Sequence, residues 1–399
     1  MAILAVNAGS STLKFALHPL QGTQVLACVL SGAIQGLEPG GHPELTWREG
    51  TGANQTQRLP DSDEPFAQAL QALHERLAGG PLRRDIAAVA HRVVHGGARY
   101  LASVVVTPGV LADLAALEPM APLHQPHNLA GIRAFQQAFP AAAQIACFDT
   151  AFHATLPDVE TAFALPQALA EQGVRRYGFH GLSYQYIAGV LQQHSARAQG
   201  RVLMAHLGNG ASLCATRKGQ SCATTMGFSA LDGLMMGTRS GALDPGVLLY
   251  LLEHGWDHDR LQALLYRQSG LLGVSGISAD MRRLRADGSA MAQRAIALFT
   301  RRVVRESGAM VACLGGLDVL AFSGGIGEHD AALRADVCQA LAYLGVAIDP
   351  ARNQAATGSE PMAVHAHGSA VEVWVVPTDE GYIAAQEAAR LLGAARRSG

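Results

Sequence analysis

Lysine is almost missing from this 399-residue chain: of 30 basic residues, Lys14 and Lys218 are the lysines and the rest are arginine. That bias fits base composition better than function. Charge is also sparse, at 16% of residues with a net of −2, so binding a polyanion such as nucleic acid would need a local basic patch. The pairs Arg282-Arg283 and Arg301-Arg302 are isolated in helix-like contexts and read as solvated faces, so no nucleic-acid partner is expected. No run approaches the 18 or so apolar residues that span a bilayer, and no membrane partner is expected. Met1–Val6 lacks a basic region and breaks at Asn7, which predicts a first strand and not a secretory signal. The six cysteines are scattered with no CxxC, which predicts buried thiols in a reducing cytoplasm. His91/His95 and His124/His127 have spacings a metal would accept, but neither is HExxH, and core histidines are the favoured reading.

What is plentiful is apolar sequence, 49% of residues, well outside the disordered regime and enough for one or two full cores. Ile3–Val6 is apolar, Asn7-Ala-Gly-Ser-Ser11 is a small polar tip, and Thr12–Leu17 alternates. Leu13, Phe15 and Leu17 then share one face, with Thr12 and Lys14 on the other. Val202–Leu207, the tip Gly208-Asn-Gly-Ala-Ser212 and Leu213–Thr216 repeat the pattern, and Asn-Gly between apolar runs is a strong hairpin signal. Two such units predict a duplicated α/β domain.

Further along, Phe66, Leu70, Leu73 and Leu77 mark a helix opened at Ser62/Asp63 and stopped by Gly79-Gly80. Ile86–Val94 and Gln144–Phe148 read as strands, the second delivering Asp149. Leu129, Ile132 and Phe139 sit on a helix, and Met291–Leu314 is helical. Asp318–Phe322 enters Ser323-Gly-Gly-Ile-Gly-Glu328, Val371–Val376 is a strand, and Glu380–Ala395 is a closing helix. Alternating strands and helices predict mainly parallel sheets with helices on both faces. The expected break lies near Asp149–Pro157, giving domains 1–150, joined by a C-terminal helix of about 381–396, and 151–380.

Three glycine turns follow apolar strands, at Asn7–Ser11, Gly208–Ser212 and Gly324–Glu328, where main-chain N–H groups can approach phosphate oxygens. Neither GxxxxGK[ST] nor a GxGxxG opening a helix after the first strand is present, which argues against a P-loop and a Rossmann dehydrogenase. In Ala90-His-Arg92-Val-Val94-His-Gly-Gly97, extended geometry puts Arg92 and Val94 on one face, a cation beside an apolar wall. Gly237-Thr-Arg239-Ser-Gly241 holds a second arginine in a tight turn. Each arginine has an equally plain structural use, tying down a carbonyl or a local carboxylate.

Asn7-Ala-Gly-Ser-Ser-Thr-Leu-Lys14, His91-Arg-Val-Val-His-Gly-Gly97, Cys147-Phe-Asp-Thr-Ala-Phe-His153, Arg176-Tyr-Gly-Phe-His-Gly181, His206-Leu-Gly-Asn-Gly210, Gly233-Leu-Met-Met-Gly-Thr-Arg-Ser-Gly241, Gly325-Ile-Gly-Glu328 and Pro377-Thr-Asp-Glu380 resemble, in order, the acetate kinase family. The resemblance implies two similar α/β domains of the acetate and sugar kinase, Hsp70 and actin type around an ATP cleft, a homodimer, and ATP + acetate ⇌ ADP + acetyl phosphate. It implies a catalytic set of Asp149, Arg92, Arg239 and His180, and a methyl pocket of Val94, Leu123 and Phe179 beside Arg92. Nucleotide contacts carry over to Lys14, His206, Leu207, Gly208, Asn209, Gly210, Asp280, Met281, Arg282, Gly325, Ile326, Gly327 and His329. Asn7 and Glu380 would position Mg²⁺, with Mn²⁺ able to substitute. The chain departs from the family at Thr12 (usually serine), Ala230 (proline), Tyr184 (histidine), His329 and Asp379 (both asparagine). Ala230 would widen the acyl site. The alternatives are a propionate or other short-chain acyl kinase and, in another class, an actin/Hsp70-like ATP-driven module.

Overall fold

The computed structural model of the protein describes residues 1–9, 11–38, 40–78, 85–122 and 124–398. Gly79-Gly80, expected to stop a helix, and Leu123 lie outside the described residues. The chain divides into two compact units, Met1–Phe152 with Asp379–Gly399, and His153–Thr378.

In the first unit β1 (Ala2–Ala8) and β2 (Thr12–Gln21) form the expected hairpin, with Asn7 opposite Lys14. The remaining strands are β3 (Gln24–Val25), β4 (Leu30–Gln35), β5 (Glu44–Glu49), β6 (Gln55–Arg58), β7 (Ile86–Val93), β8 (Val104–Val105) and β9 (Ala143–Phe148). Among the described residues they make one sheet in the order β6-β5-β4-β2-β1-β7-β9-β8, with β3 beside β2. Alternation decides its two faces. Leu4, Val6, Leu13, Phe15 and Val89 form a core with Leu70 and Leu73 of the helix Pro65–Ala78 and Phe135 of the helix Gln125–Ala138. Ala5, Ala16 and Cys147 face the helix Glu380–Ser398. A Cβ at Gly381 would lie 3.5 Å from Ala16 and 3.7 Å from Ala5, and Cys147 Sγ lies 3.8 Å from the Ala384 carbonyl.

The second unit repeats this plan. Its strands are β10 (Arg201–Leu207), β11 (Ala211–Arg217), β12 (Gln220–Thr224), β13 (Val319–Ser323), β14 (Met362–Ala363) and β15 (Glu372–Val375), in the order β12-β11-β10-β13-β15-β14. That order corresponds strand for strand to β4-β2-β1-β7-β9-β8. β1, β7 and β9 are parallel like β10, β13 and β15, and the flanking pairs are antiparallel in both. The duplication expected from two hairpins is therefore a duplication of six strands. The sheets are mixed and not mainly parallel, because each unit opens with hairpins that add antiparallel strands beside a short parallel centre. The helix Ala290–Leu314 packs on β10, β11 and β12, and the helix Gly181–His194 on β10.

Three of the six cysteines, Cys147, Cys214 and Cys338, are buried; Cys313 is exposed and Cys28 and Cys222 are half-buried, so the expectation of buried thiols holds for half of them.

Candidate active site

In the first unit the polar residues gather where the parallel strands end. Asn7 alternates with Ala5 and so faces the helix Glu380–Ser398, as does Lys14 opposite it, exposed on β2. Arg92 on β7 is in register with Cys147 on β9 and points the same way. Asp149, two residues beyond Cys147, is almost wholly buried, and Arg92 grips it bidentately: Nε donates to Oδ1 at 3.0 Å and Nη2 to Oδ2 at 2.7 Å. Glu380, the first residue of the closing helix, brings Oε2 within 3.3 Å of Arg92 Nε. Burial opposes the guanidinium charge, but Asp149 and Glu380 outweigh it and raise the Arg92 pKa. One cation thus lies between two carboxylates. Val94, just past β7, is buried, and its N–H donates to Asn128 Oδ1 at 3.0 Å.

The second unit carries two neighbouring groups of residues. The turn between β10 and β11 holds Gly208, Asn209 and Gly210, and the arginine turn packs against it. The Gly237 N–H donates to the Asn209 carbonyl at 3.0 Å, and a Cβ at Gly237 would press on Asn209 Oδ1, so the two turns pack closely. A Cβ at Gly210 would lie 2.7 Å from Arg239 Nη2 and 3.2 Å from His180 Nε2, which puts both side chains at the tip. Arg239 Nη1 donates to the Ala230 carbonyl. His180 sits at the N-cap position of the helix Gly181–His194 at φ 60°, ψ 24°, the left-handed region that is uncommon outside glycine. Its ring stacks on His206, the centroids 4.3 Å apart. Phe179 and Leu207 are buried.

Beside this tip lies a cavity of about 1000 Å³. Gly208, Asn209, Gly325, Ile326, His329 and the run Asp280-Met281-Arg282 are among its lining. Arg282 donates to Asp280, which holds that carboxyl below the usual carboxylate range. Gly325 and Ile326 belong to the short helix Gly324–His329 that follows β13. Glu328 ties its start down, Oε1 accepting from the N–H of Gly324 at 2.8 Å and of Thr378 at 3.3 Å. Burial pushes the Glu328 carboxyl up.

Of the residues singled out from the sequence, Asn7, Lys14, Arg92, Asp149 and Glu380 thus share one face of the first unit. His180, His206, Asn209, Gly210 and Arg239 share one tip of the second, and eight nucleotide candidates line its cavity. Lys14, His206, Leu207, Gly210 and Gly327 are not among that lining. The sequence reading missed Arg285 and Gln354, which also line the cavity, and Ser212, whose Oγ lies 2.8 Å from His180 Nδ1. Ser212 closes the Gly-Asn-Gly-Ala-Ser tip, and that position was its one signal.

Two sheets of one topology, each with a glycine turn leaving its central strand, define the class of this chain as a duplicated α/β protein. It matches the Acetokinase family over residues 2–386 and belongs to that family. It is 49% identical to an acetate kinase of Rhodopseudomonas palustris, over 99% of both chains. Among solved structures it resembles a propionate kinase from Francisella tularensis subsp. tularensis, with TM-score 0.88, 34% identity and coverage of 97% of this chain and 98% of that one. It also resembles an acetate kinase from Porphyromonas gingivalis, with TM-score 0.86, 34% identity and coverage of 98% and 99%.

Proposed function

We propose that the protein transfers the γ-phosphoryl group of ATP reversibly to acetate, giving acetyl phosphate and ADP, with Mg²⁺. Its membership of the family along nearly the whole chain carries this reading. The first unit serves as the carboxylate-reading domain and the second as the nucleotide-binding domain.

Acetate is ionised at neutral pH, so its oxygen attacks without a general base. The obstacle is charge: two like unit charges about 4 Å apart repel by roughly 4 kcal/mol at an effective dielectric of about 20. Positioned cations and donors lower that barrier, the usual mode of phosphoryl transfer. In this reading Arg92 and Arg239 hold the carboxylate and the transferring phosphoryl group, and His180 donates to the latter. Asp149 acts by orientation, since both its oxygens engage Arg92. Val94 of the first unit and Phe179 of the second, both buried, are the proposed acyl-contacting residues. Asn209 and Gly210 meet the phosphates, with the cavity beside them taking the adenosine against Asp280, Arg282, Gly325 and Ile326.

Asn7 and Glu380 offer hard oxygen donors on one face of the first unit, and Glu380 is about one-fifth exposed. Among the described residues no three His, Cys, Asp or Glu side chains gather, which suits an ion that keeps several waters and takes one or two protein oxygens. Bound there, Mg²⁺ would neutralise phosphate charge.

A homodimer belongs to the same reading, supported by the helix Pro245–Glu253, which buries none of its residues and exposes Val247, Leu249, Tyr250 and Leu252. So does a cytoplasmic setting. Sedimentation and cell fractionation test these two.

The resemblance to a propionate kinase structure keeps one second reading in view, so the decisive assay is hydroxamate trapping of acyl phosphate over formate, acetate, propionate and butyrate. The highest kcat/KM is expected with acetate. A higher value with propionate would reassign the substrate, and ATP hydrolysis indifferent to every acid would turn the reading toward an ATP-driven module.

A further inference from the structure

The strained histidine of the second unit is held by a polar chain that the proposed reaction does not itself call for. Ser212 lies on β11, fully buried, with its hydroxyl between two partners. Its Oγ is 2.8 Å from His180 Nδ1 and 2.5 Å from Tyr184 Oη. Tyr184 is also fully buried, one helical turn beyond His180 on Gly181–His194. The two imidazole nitrogens therefore face different surroundings. Nδ1 meets the serine, whereas Nε2 lies at the tip, 3.2 Å from where a Cβ at Gly210 would stand and beside Arg239.

We propose that Ser212 and Tyr184 are positioning residues that select the tautomer of His180. Tyr184 Oη–H donates to Ser212 Oγ, Ser212 Oγ–H donates to Nδ1, and the neutral ring carries its proton on Nε2. The inference rests on the reading that His180 donates to the transferring phosphoryl group. Three observations converge on it. Burial pushes the Tyr184 hydroxyl well above its ordinary value, so the tyrosine keeps a proton to give. The left-handed backbone at His180 is a costly conformation, the kind retained where a side chain must point in one direction. The neighbouring ring of His206 is tethered in the same manner, its Nδ1 2.8 Å from Ser183 Oγ, so the stacked pair cannot easily swivel. Were the proton on Nδ1, Nε2 would turn a lone pair toward an anion and repel it.

The first test is spectroscopic. Nitrogen-15 NMR of the imidazoles, with His180 assigned by its loss in His180→Ala, should show Nε2 protonated and Nδ1 bare near pH 8. A proton on Nδ1 overturns the inference. In kinetics, Ser212→Ala and Tyr184→Phe each delete one oxygen and should lower kcat about tenfold while KM for acetate and ATP moves less than about twofold. Because both act through the ring, Ser212→Ala should cost nothing further on a His180→Ala background. Wild-type kcat in both single variants, or full additivity with His180→Ala, overturns the proposal. Wild-type turnover in His180→Ala itself would instead remove His180 from the reaction, and the NMR result would still decide the tautomer.

Discussion

Arg92 shows how one residue serves stability and chemistry together. Its guanidinium neutralises Asp149, which is 1% exposed, and so the pair has given up most of its hydration. Arg92→Ala is expected to lower kcat by at least about 100-fold. It should also destabilise the first unit by roughly 3 kcal/mol or more, because a buried carboxylate loses its bidentate partner. Arg239→Ala is expected to lower kcat by a similar factor. The double variant Arg92→Ala/Asp149→Ala should be more stable than Arg92→Ala alone. Near-wild-type turnover in either arginine variant would take that residue out of the mechanism. Since acetate needs no base, the activity lost in Asp149→Ala should not return on raising the pH, and its recovery would count against the orienting role.

At the scale of an element, the closing helix decides where Glu380 stands. Asp379 Oδ1 accepts from the N–H of Tyr382 at 2.8 Å, an N-cap worth about 1 kcal/mol. Asp379→Ala should fray the first turn, which contains Glu380, so the Mg²⁺ concentration for half-maximal activity should rise several-fold while KM for acetate changes little. An unchanged Mg²⁺ titration would show that the cap does not position Glu380. Asp379→Asn, which caps as well, should restore it. That helix was legible from its apolar spacing and its acidic start, and so were both hairpins, because alternation separates Leu13 and Phe15 from Lys14. The meander of β4 to β6 was not, since Gln55–Arg58 is exposed along its length and carries no alternation to read. The helix Gly181–His194 went unread too. The partnership of Tyr184 with Ser212 spans 28 residues, and nothing local to either end announces it.

For the whole molecule, each unit holds a histidine that burial makes hard to protonate, and this ties folding to pH. In the first unit His91 Nε2–H donates to Gln144 Oε1 at 2.8 Å; in the second His153 Nε2–H donates to the Phe179 carbonyl at 2.9 Å, with Ser221 Oγ on its Nδ1. Burial pushes both from 6.5 to about 4, with the hydrogen bonds resisting. The unfolded chain takes up protons at these two positions below about pH 6.5, while the folded chain declines them until about pH 4. Their contribution is therefore intact above pH 6.5 and is lost progressively as the pH falls toward 4, by roughly 3 kcal/mol per ring at most. Whichever unit opens first meets this penalty, so the first urea transition should shift downward between pH 7.5 and 4.5. His91→Gln keeps a hydrogen-bonding side chain that does not titrate, and it should lessen the pH dependence of the first unit, where burial also lowers the pKa of His18, without touching that of the second. A pH slope equal to that of the unsubstituted protein would show that His91 protonates as readily in the folded chain as in the unfolded one, and would locate the acid sensitivity in other groups instead.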